Sequence, residues 1–332
     1  MKRWVKRVAV TVLAVLLAVG GYGAWRLGHP AMPEGTQTLP AASRVPDGLT
    51  AQYFGTTTLV FRQGRDAVMI DALLSRPGLG NVLFGKLASD SARIEAILRR
   101  AGLSRLGLLL VSHTHYDHSL DLAAIAARAG ATVAGSTSTG FVAQGGGIPS
   151  SRIRTIRGGE TLNAGAIRVT VIRSLHSLDD RIPGVVTAPL RQPAGVADYK
   201  EGGSFAFLIE HRGTRILVHP SANFVPGMYR GIRADAVFLA TGGLSAHPPE
   251  FTQRYWRETV TATGAKLVMP IHWDDFLEPL DRPLQPLRRF MDDIPLTMTR
   301  IAPLAARDGV PVAYMPVIAP VDIASLAKGL TP

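Results

Sequence analysis

Cysteine is absent from the 332 residues, which excludes disulfides and every thiolate metal site and leaves histidine and carboxylates as the strong metal ligands on offer. Charged residues make up only 18% against 46% hydrophobic, a balance that describes a folded protein and excludes a disordered one. A basic block interleaved with aromatics is also missing. The formal charge is +11, of which Lys2, Arg3, Lys6 and Arg7 supply four units at the N-terminus, so nucleic acid is not an expected partner. No internal repeat or low-complexity tract occurs. Glycine and proline are plentiful, 34 and 23, as turn-rich sheet architectures require.

After the basic residues, Val8–Trp25 is almost wholly apolar. It is near the lower limit for crossing a hydrocarbon core of about 30 Å at about 1.5 Å per residue. Positive charge before the run keeps that end cytoplasmic and sends the remainder outward. Gly21, Gly23 and Ala24 would permit cleavage of a signal peptide, but no clear Ala-x-Ala site is present, and an uncleaved anchor over residues 1–26 is the preferred reading. The expected location is therefore the inner membrane, with the body of the chain in the periplasm or outside, or secreted if the segment is removed. Residues 27–49, rich in proline, read as a linker, and residues 50–332 as one domain.

Within that domain the stretch Leu106–His118 organises the rest. Leu108 to Val111 is a buried strand by its unbroken aliphatic run, and Ser119–Ala129 has helical periodicity closing at Gly130. Between them stand His113, His115, Asp117 and His118, three of the nine histidines in six positions. A polar turn rich in histidine by chance is the bland alternative; a site for a divalent ion such as zinc is the sharper one, since an irregular turn lets side chains two apart converge. Strands are expected over Gln52–Phe61, Ala67–Asp71, Ala131–Gly135, Arg152–Arg157, Ile167–Ile172, Ser204–Glu210, Thr214–Val218, Ala236–Ala240 and Lys266–Ile271, with a meander from Arg152 to Val218. Helices are expected at Ser91–Ala101, capped by Asp90, at Pro249–Thr263 and at Leu284–Asp292. Pro77–Leu87 reads as a loop, the Gly-rich stretch Gln144–Pro149 as a loop near substrate, and residues 178–203 as a long excursion that is either a functional cover or disordered. Asp71, His113, His176 and His272 each follow an apolar run, so all four can project from one edge of the packed sheets.

These residues carry a resemblance. Asp71, the His-Thr-His-Tyr-Asp-His run at 113–118, His176 and the segment Val268-Met-Pro-Ile-His-Trp-Asp-Asp-Phe276 resemble, in order, the metallo-β-lactamase superfamily, and Pro-Ile-His-Trp is similar to the branch holding ascorbate-6-phosphate lactonase and the N-acylphosphatidylethanolamine-hydrolysing phospholipase D. The resemblance implies an α/β (α+β) four-layer αββα sandwich with metals at one edge. It implies that His113, His115 and His176 hold the first metal, that Asp117, His118 and His272 hold the second, and that Asp71 orients the metal loop through hydrogen bonds. Zn2+ is the expected ion, with Mn2+ and Fe2+ as alternatives.

One departure stands out. Relatives carry a bridging aspartate where this chain has Ser221, and a neutral hydroxyl bridges poorly. One tight metal and a second weak or absent one are therefore expected, with His219 a candidate substitute ligand. By likeness to the phospholipases, His247 before Pro248-Pro249-Glu250 can donate a proton or bind an anionic group, an ordinary loop histidine being the alternative. The function so implied is hydrolysis of an ester-like bond, phosphodiester or lactone, by metal-activated water, with Asp117 orienting that water and accepting its proton. The substrate is expected to be a small molecule or lipid, anionic in character. A β-lactamase or other amide hydrolase, and a non-catalytic metal-binding envelope protein, are the rival readings.

Overall fold

A computed structural model describes residues 2–42 and 48–327; residues 43–47 of the expected linker and the end of the tail lie outside them. Two six-stranded sheets form the body. The first contains β1 (Thr50–Tyr53), β2 (Leu59–Gln63), β3 (Asp66–Ile70), β4 (Leu108–Leu110), β5 (Thr132–Gly135) and β6 (Ile153–Thr155), in that spatial order. The second contains β7 (Thr161–Ala164), β8 (Ile167–Ser174), β9 (Ser204–His211), β10 (Thr214–His219), β11 (Ala236–Ala240) and β12 (Val268–Ile271), again each beside its sequence neighbour.

Sequence pattern decides which face each strand buries. In β8 the residues Ile167, Val169 and Val171 are buried while Arg168 and Arg173 are exposed, the period of two of a half-covered strand. In β4 and β11 every residue is buried, as expected of parallel strands covered on both sides. Each fully buried Leu, Val or Ile contributes about 1.5–3 kcal/mol. The core lies between the sheets, where Phe61 of β2 meets Phe238 of β11 edge-on at 5.6 Å between ring centroids.

Strands β3 to β6 run parallel and are joined by α3 (Ser91–Arg100), α5 (Leu122–Ala129) and α6 (Thr137–Gly145), which form an outer layer. Asp90 caps α3 by accepting from the Arg93 amide, as its sequence position predicts. On the other side α7 (Pro249–Trp256), continued by a π-helical turn Arg257–Thr261, packs on α8 (Ile294–Asp308), and Tyr255 donates to the Ala240 carbonyl of β11. The architecture is the αββα sandwich. An N-terminal helix, α1 (Lys2–Leu27), meets the domain at its C-terminal end, its segment Lys6–Leu27 long and apolar enough to be a membrane anchor or a signal sequence.

Several expectations need correction. Gln52–Phe61 is two strands, because Gly55 and Thr56 take left-handed backbone conformations (φ 79° and 51°) that break the pleat. Arg152–Arg157 supplies β6 of the first sheet, so the meander begins at β7. Pro77–Leu87 contains a short helix, α2 (Leu79–Phe84). Leu284–Asp292 is not helical: Pro286 has no amide to donate, and the Leu287, Arg289 and Phe290 amides bond instead to the carbonyls of Trp273, Gly28 and Arg26. The linker is not free either, since Leu39 and Ala42 bond to Tyr314 and Pro320 of the tail.

Candidate metal centre

The ends of β3, β4, β8 and β12 lie along one edge of the sandwich, and the chemistry gathers there. His113, His115 and His176 form one group whose ligand atoms all lie within 4.8 Å of one another, and Asp117, His118 and His272 form a second. The groups adjoin, with the His113 and His118 rings 3.8 Å apart. All six residues come from turns. His113 to Asp117 leave β4 and enter the single turn α4 (Tyr116–Ser119), while His176 and His272 follow β8 and β12. His272 adopts φ 56°, strained for a residue with a side chain.

A lock explains how that strain is held. The His272 amide donates to Thr56 O at 2.5 Å, and the Asp274 carboxylate accepts from the Thr56 amide at 2.7 Å and from Tyr53 OH at 2.6 Å. Arg76 closes the fully buried ion pair on Asp274 at 2.6 Å. Gly55 is obligatory beside it, because a Cβ there would stand 1.7 Å from the Arg76 guanidinium.

Asp71 sits behind the loop, fully buried and itself left-handed at φ 54°. Its carboxylate accepts from the Ser112 amide at 2.7 Å, from Ser112 Oγ at 2.8 Å, from Thr57 Oγ1, and from His118 Nδ1 at 2.8 Å. With its Nδ1 proton held there, His118 presents Nε2 forward, and that atom is buried without a hydrogen-bond partner, as is His113 Nε2. Orphaned imidazole nitrogens converging beside a carboxylate fit a divalent ion, which would supply the missing bonds.

The electrostatics differ between the two groups. Burial, helped by neighbouring imidazoles, pushes His113 well below the ordinary histidine range, and pushes His176 down to about 4. Burial also works against a charge on His118, but the carboxylates of Asp117 and Asp71 overcome it and raise its pKa to about 10. For Asp117 burial is opposed and outweighed by His118 and His272, whose Nε2 atoms each lie 3.3 Å from Oδ2, so its carboxyl stays well below the usual range. His113 and His176 of the first group are thus neutral and ready for a metal, whereas His118 of the second holds a proton.

The remaining predicted residues divide. His247 lines the same cleft, its ring 5.0 Å from that of Phe251. His219 does not join the cluster: it is completely buried, its nitrogens engaged by Tyr229 OH at 2.5 Å and the Asn223 carbonyl at 2.7 Å. Ser221 is buried in a turn pinned to the His176 segment, with Asn223 Nδ2 donating to His176 O at 2.7 Å. The expected loop 144–149 begins as the last two residues of α6, Gln144 and Gly145, and the whole stretch lies outside the cleft walls.

Sequence reading missed Thr57, Ser112 and Asp180. Asp180 Oδ1 is 3.3 Å from His115 Nε2 and Oδ2 is 3.9 Å from His176 Nδ1, so it faces two histidines of the first group from the 178–203 cover. Its signal was present, an acid at the mouth of a long loop four residues after His176, but not distinctive.

The cleft has a volume of about 440 Å3 and is walled by apolar side chains of α2, Leu178, Phe276 and the segment Leu287–Met291. Larger hollows lie elsewhere, beside Ser136–Phe141 and beside Pro33–Gln37. Neither is lined by histidine, so chemistry rather than size marks the site.

Comparison with known proteins agrees with this geometry. The family model described as a beta-lactamase superfamily domain matches residues 67–273, which include all six clustered residues. The chain belongs to the metallo-β-lactamase superfamily. It is similar to a UPF0173 metal-dependent hydrolase of Rubrobacter xylanophilus, 28% identical over 141 residues, 42% of this chain and 55% of that one. The chain therefore spans about half the length of that relative. A possible metal-dependent hydrolase from Veillonella parvula has the same fold, at TM-score 0.50 and 13% identity over 84% of this chain and 100% of that one. So does the metallo-beta-lactamase fold protein YhfI from Bacillus subtilis, at 0.50 and 13% over 82% and 98%.

Proposed function

We propose that the chain hydrolyses an ester-like bond, phosphodiester or lactone, in a substrate whose apolar part occupies the cleft. The observation carrying this reading is the three-histidine group and the adjoining His-Asp-His group beside a cleft with apolar walls. His113, His115 and His176 would hold one ion, and Asp117, His118 and His272 a second; Zn2+ suits the donors, with Mn2+ and Fe2+ the alternatives. When bound, the metal acidifies water and polarises the bond under attack.

The chain's own groups do the remainder. Asp117 is ionised at neutrality, so it orients water and accepts a proton only from one already strongly acidified. With one of its carboxylate oxygens directed to the second ion, the other would be left for this task. His247 on the cleft wall is placed to return a proton to the leaving group. The first ion binds tightly and the second weakly, because Ser221 offers no carboxylate and His118 must give up its proton. Through α1 the chain is anchored in a membrane with the hydrolase domain on the outer side.

Metal-loaded protein assayed against chromogenic phosphodiesters, lactones and β-lactams tests the reading. Turnover of the first or second class, abolished in His115→Ala and Asp117→Ala proteins that remain folded by circular dichroism, is the expected result. Turnover of β-lactams alone, or full activity in either variant, would overturn it.

A further inference from the structure

We infer that the mouth of the cleft is apposed to the bilayer that α1 enters, so that substrate reaches the site as an amphiphile at the membrane surface. The substrate half of this inference rests on the hydrolase reading above; the docking half does not.

A helix apolar on every side must be covered by something. In α1 the side chains of Leu13, Leu16, Leu17 and Val19 are all more than half exposed. Its segment Lys6–Leu27 of 22 residues spans about 33 Å at about 1.5 Å per residue, so that the apolar run Val8–Trp25 within it covers most of a hydrocarbon core of about 30 Å. Tyr22 and Trp25, stacked at 5.8 Å, mark the outer interface as aromatic anchors do.

That end of α1 does not dangle from a flexible tether. Its terminal carbonyls are taken up by the domain: Phe290 N donates to Arg26 O at 3.0 Å, Arg288 to Leu27 O at 3.2 Å and Arg289 N to Gly28 O at 3.2 Å. The Arg289 guanidinium lies 5.3 Å over the Trp25 ring. His29 and Arg288 then share the Asp275 carboxylate, at 2.8 and 2.7 Å. The residues so clamped include Phe290, which with Met291 forms part of the cleft wall. The wall is thereby fixed one or two residues from the aromatic anchor.

Another wall of the same cleft is α2, a helix with no buried residue. Leu79, Val82 and Leu83 line the cleft, and Phe84 beside them is 89% exposed. Leu178, on the cover, is also exposed on the rim. Apolar groups that large, held in water at the mouth of an apolar cleft, are stabilised by entering a lipid surface. Because α2 and the clamped segment are separated only by the width of one cleft, a bilayer met by α1 meets α2 as well.

The absence of cysteine makes the test clean. Phe84→Cys and Arg65→Cys are introduced singly into the full chain, labelled with an environment-sensitive fluorophore and reconstituted into phosphatidylcholine–phosphatidylglycerol vesicles. Arg65 lies in the β2–β3 turn, at the far end of β3 from Asp71. A blue-shifted emission quenched by nitroxide lipids at position 84, with aqueous emission at 65, is expected; aqueous emission at both overturns the docking. Separately, Phe84→Asp should lower turnover of a vesicle-embedded phosphodiester lipid at least tenfold while leaving a water-soluble phosphodiester unaffected. Equal rates for variant and parent on vesicles would overturn the delivery of substrate from the membrane. If the parent protein hydrolyses neither substrate, the hydrolase reading fails while the depth measurement still decides the docking.

Discussion

Titrating metal into the stripped protein at a series of pH values should separate the two halves of the centre. His113 and His176 are held neutral down to acid pH, so the first equivalent displaces no proton from either of them. His118, at about 10, is protonated at neutrality. Three units between pH 7 and that value correspond to about a thousandfold competition by protons, falling about tenfold for each unit of pH rise. Competition with a chromophoric chelator at pH 7, 8 and 9 should therefore show a flat affinity for the first equivalent and a slope of about one decade per unit for the second. Calorimetry in buffers of different ionisation enthalpy should register release of about one proton with the second equivalent only. Replacing Asp71 by Asn removes one of the two carboxylates that hold the proton, so the slope should flatten. Equal slopes for both equivalents, or no proton released with the second, would refute the assignment of the charge to His118.

Two further outcomes follow from the same coordinates. Asp180→Ala should weaken the first metal by about tenfold, at the low end of the range for lost outer partners, because His115 keeps the Ile182 carbonyl at 3.2 Å and His176 the Ser177 carbonyl at 3.0 Å; unchanged affinity by chelator competition would show that Asp180 has no hold on either ring. Burial lowers His219 to about 4 from an ordinary 6.5, so it favours the native state fully above pH 6.5 and loses that contribution as pH falls towards 4. The loss is about 3 kcal/mol, and urea melts of the parent and of His219→Gln at pH 7 and 4.5 should converge in the acid if it is real.

Strands and the histidine-rich turn were legible because each depends on local pattern, whereas the αββα sandwich and the grouping of the candidate ligands came from the family resemblance. Unbroken aliphatic runs named β4 and β11, alternation named β8, and histidines crowded into one turn named the metal loop. What escaped depends on contacts across long separations. Nothing in Thr57 or Ser112 reveals that both will surround Asp71, and Asp274 became interpretable only once Arg76, 198 positions earlier, lay against it. Leu284–Asp292 misled because its periodicity was sound while its amides had partners elsewhere. His219 sat two residues before Ser221 on a strand end, as a ligand would, yet its neighbours Tyr229 and Tyr255 made it part of the core.

Strand β1 lies at the outer margin of its sheet, and it does not stay bare. Ala51 and Val321 exchange backbone hydrogen bonds at 3.0 and 2.8 Å, and Ile318 N donates to Tyr53 O at 2.8 Å. A sheet margin with free amides invites pairing with another chain. During synthesis that margin is open from the moment residue 53 is made until residues 318–321 arrive, so the unfinished protein carries an adhesive border over most of its elongation. A nick that frees the stretch 318–321 should accordingly bare the β1 margin and promote pairing with a second chain through the first sheet.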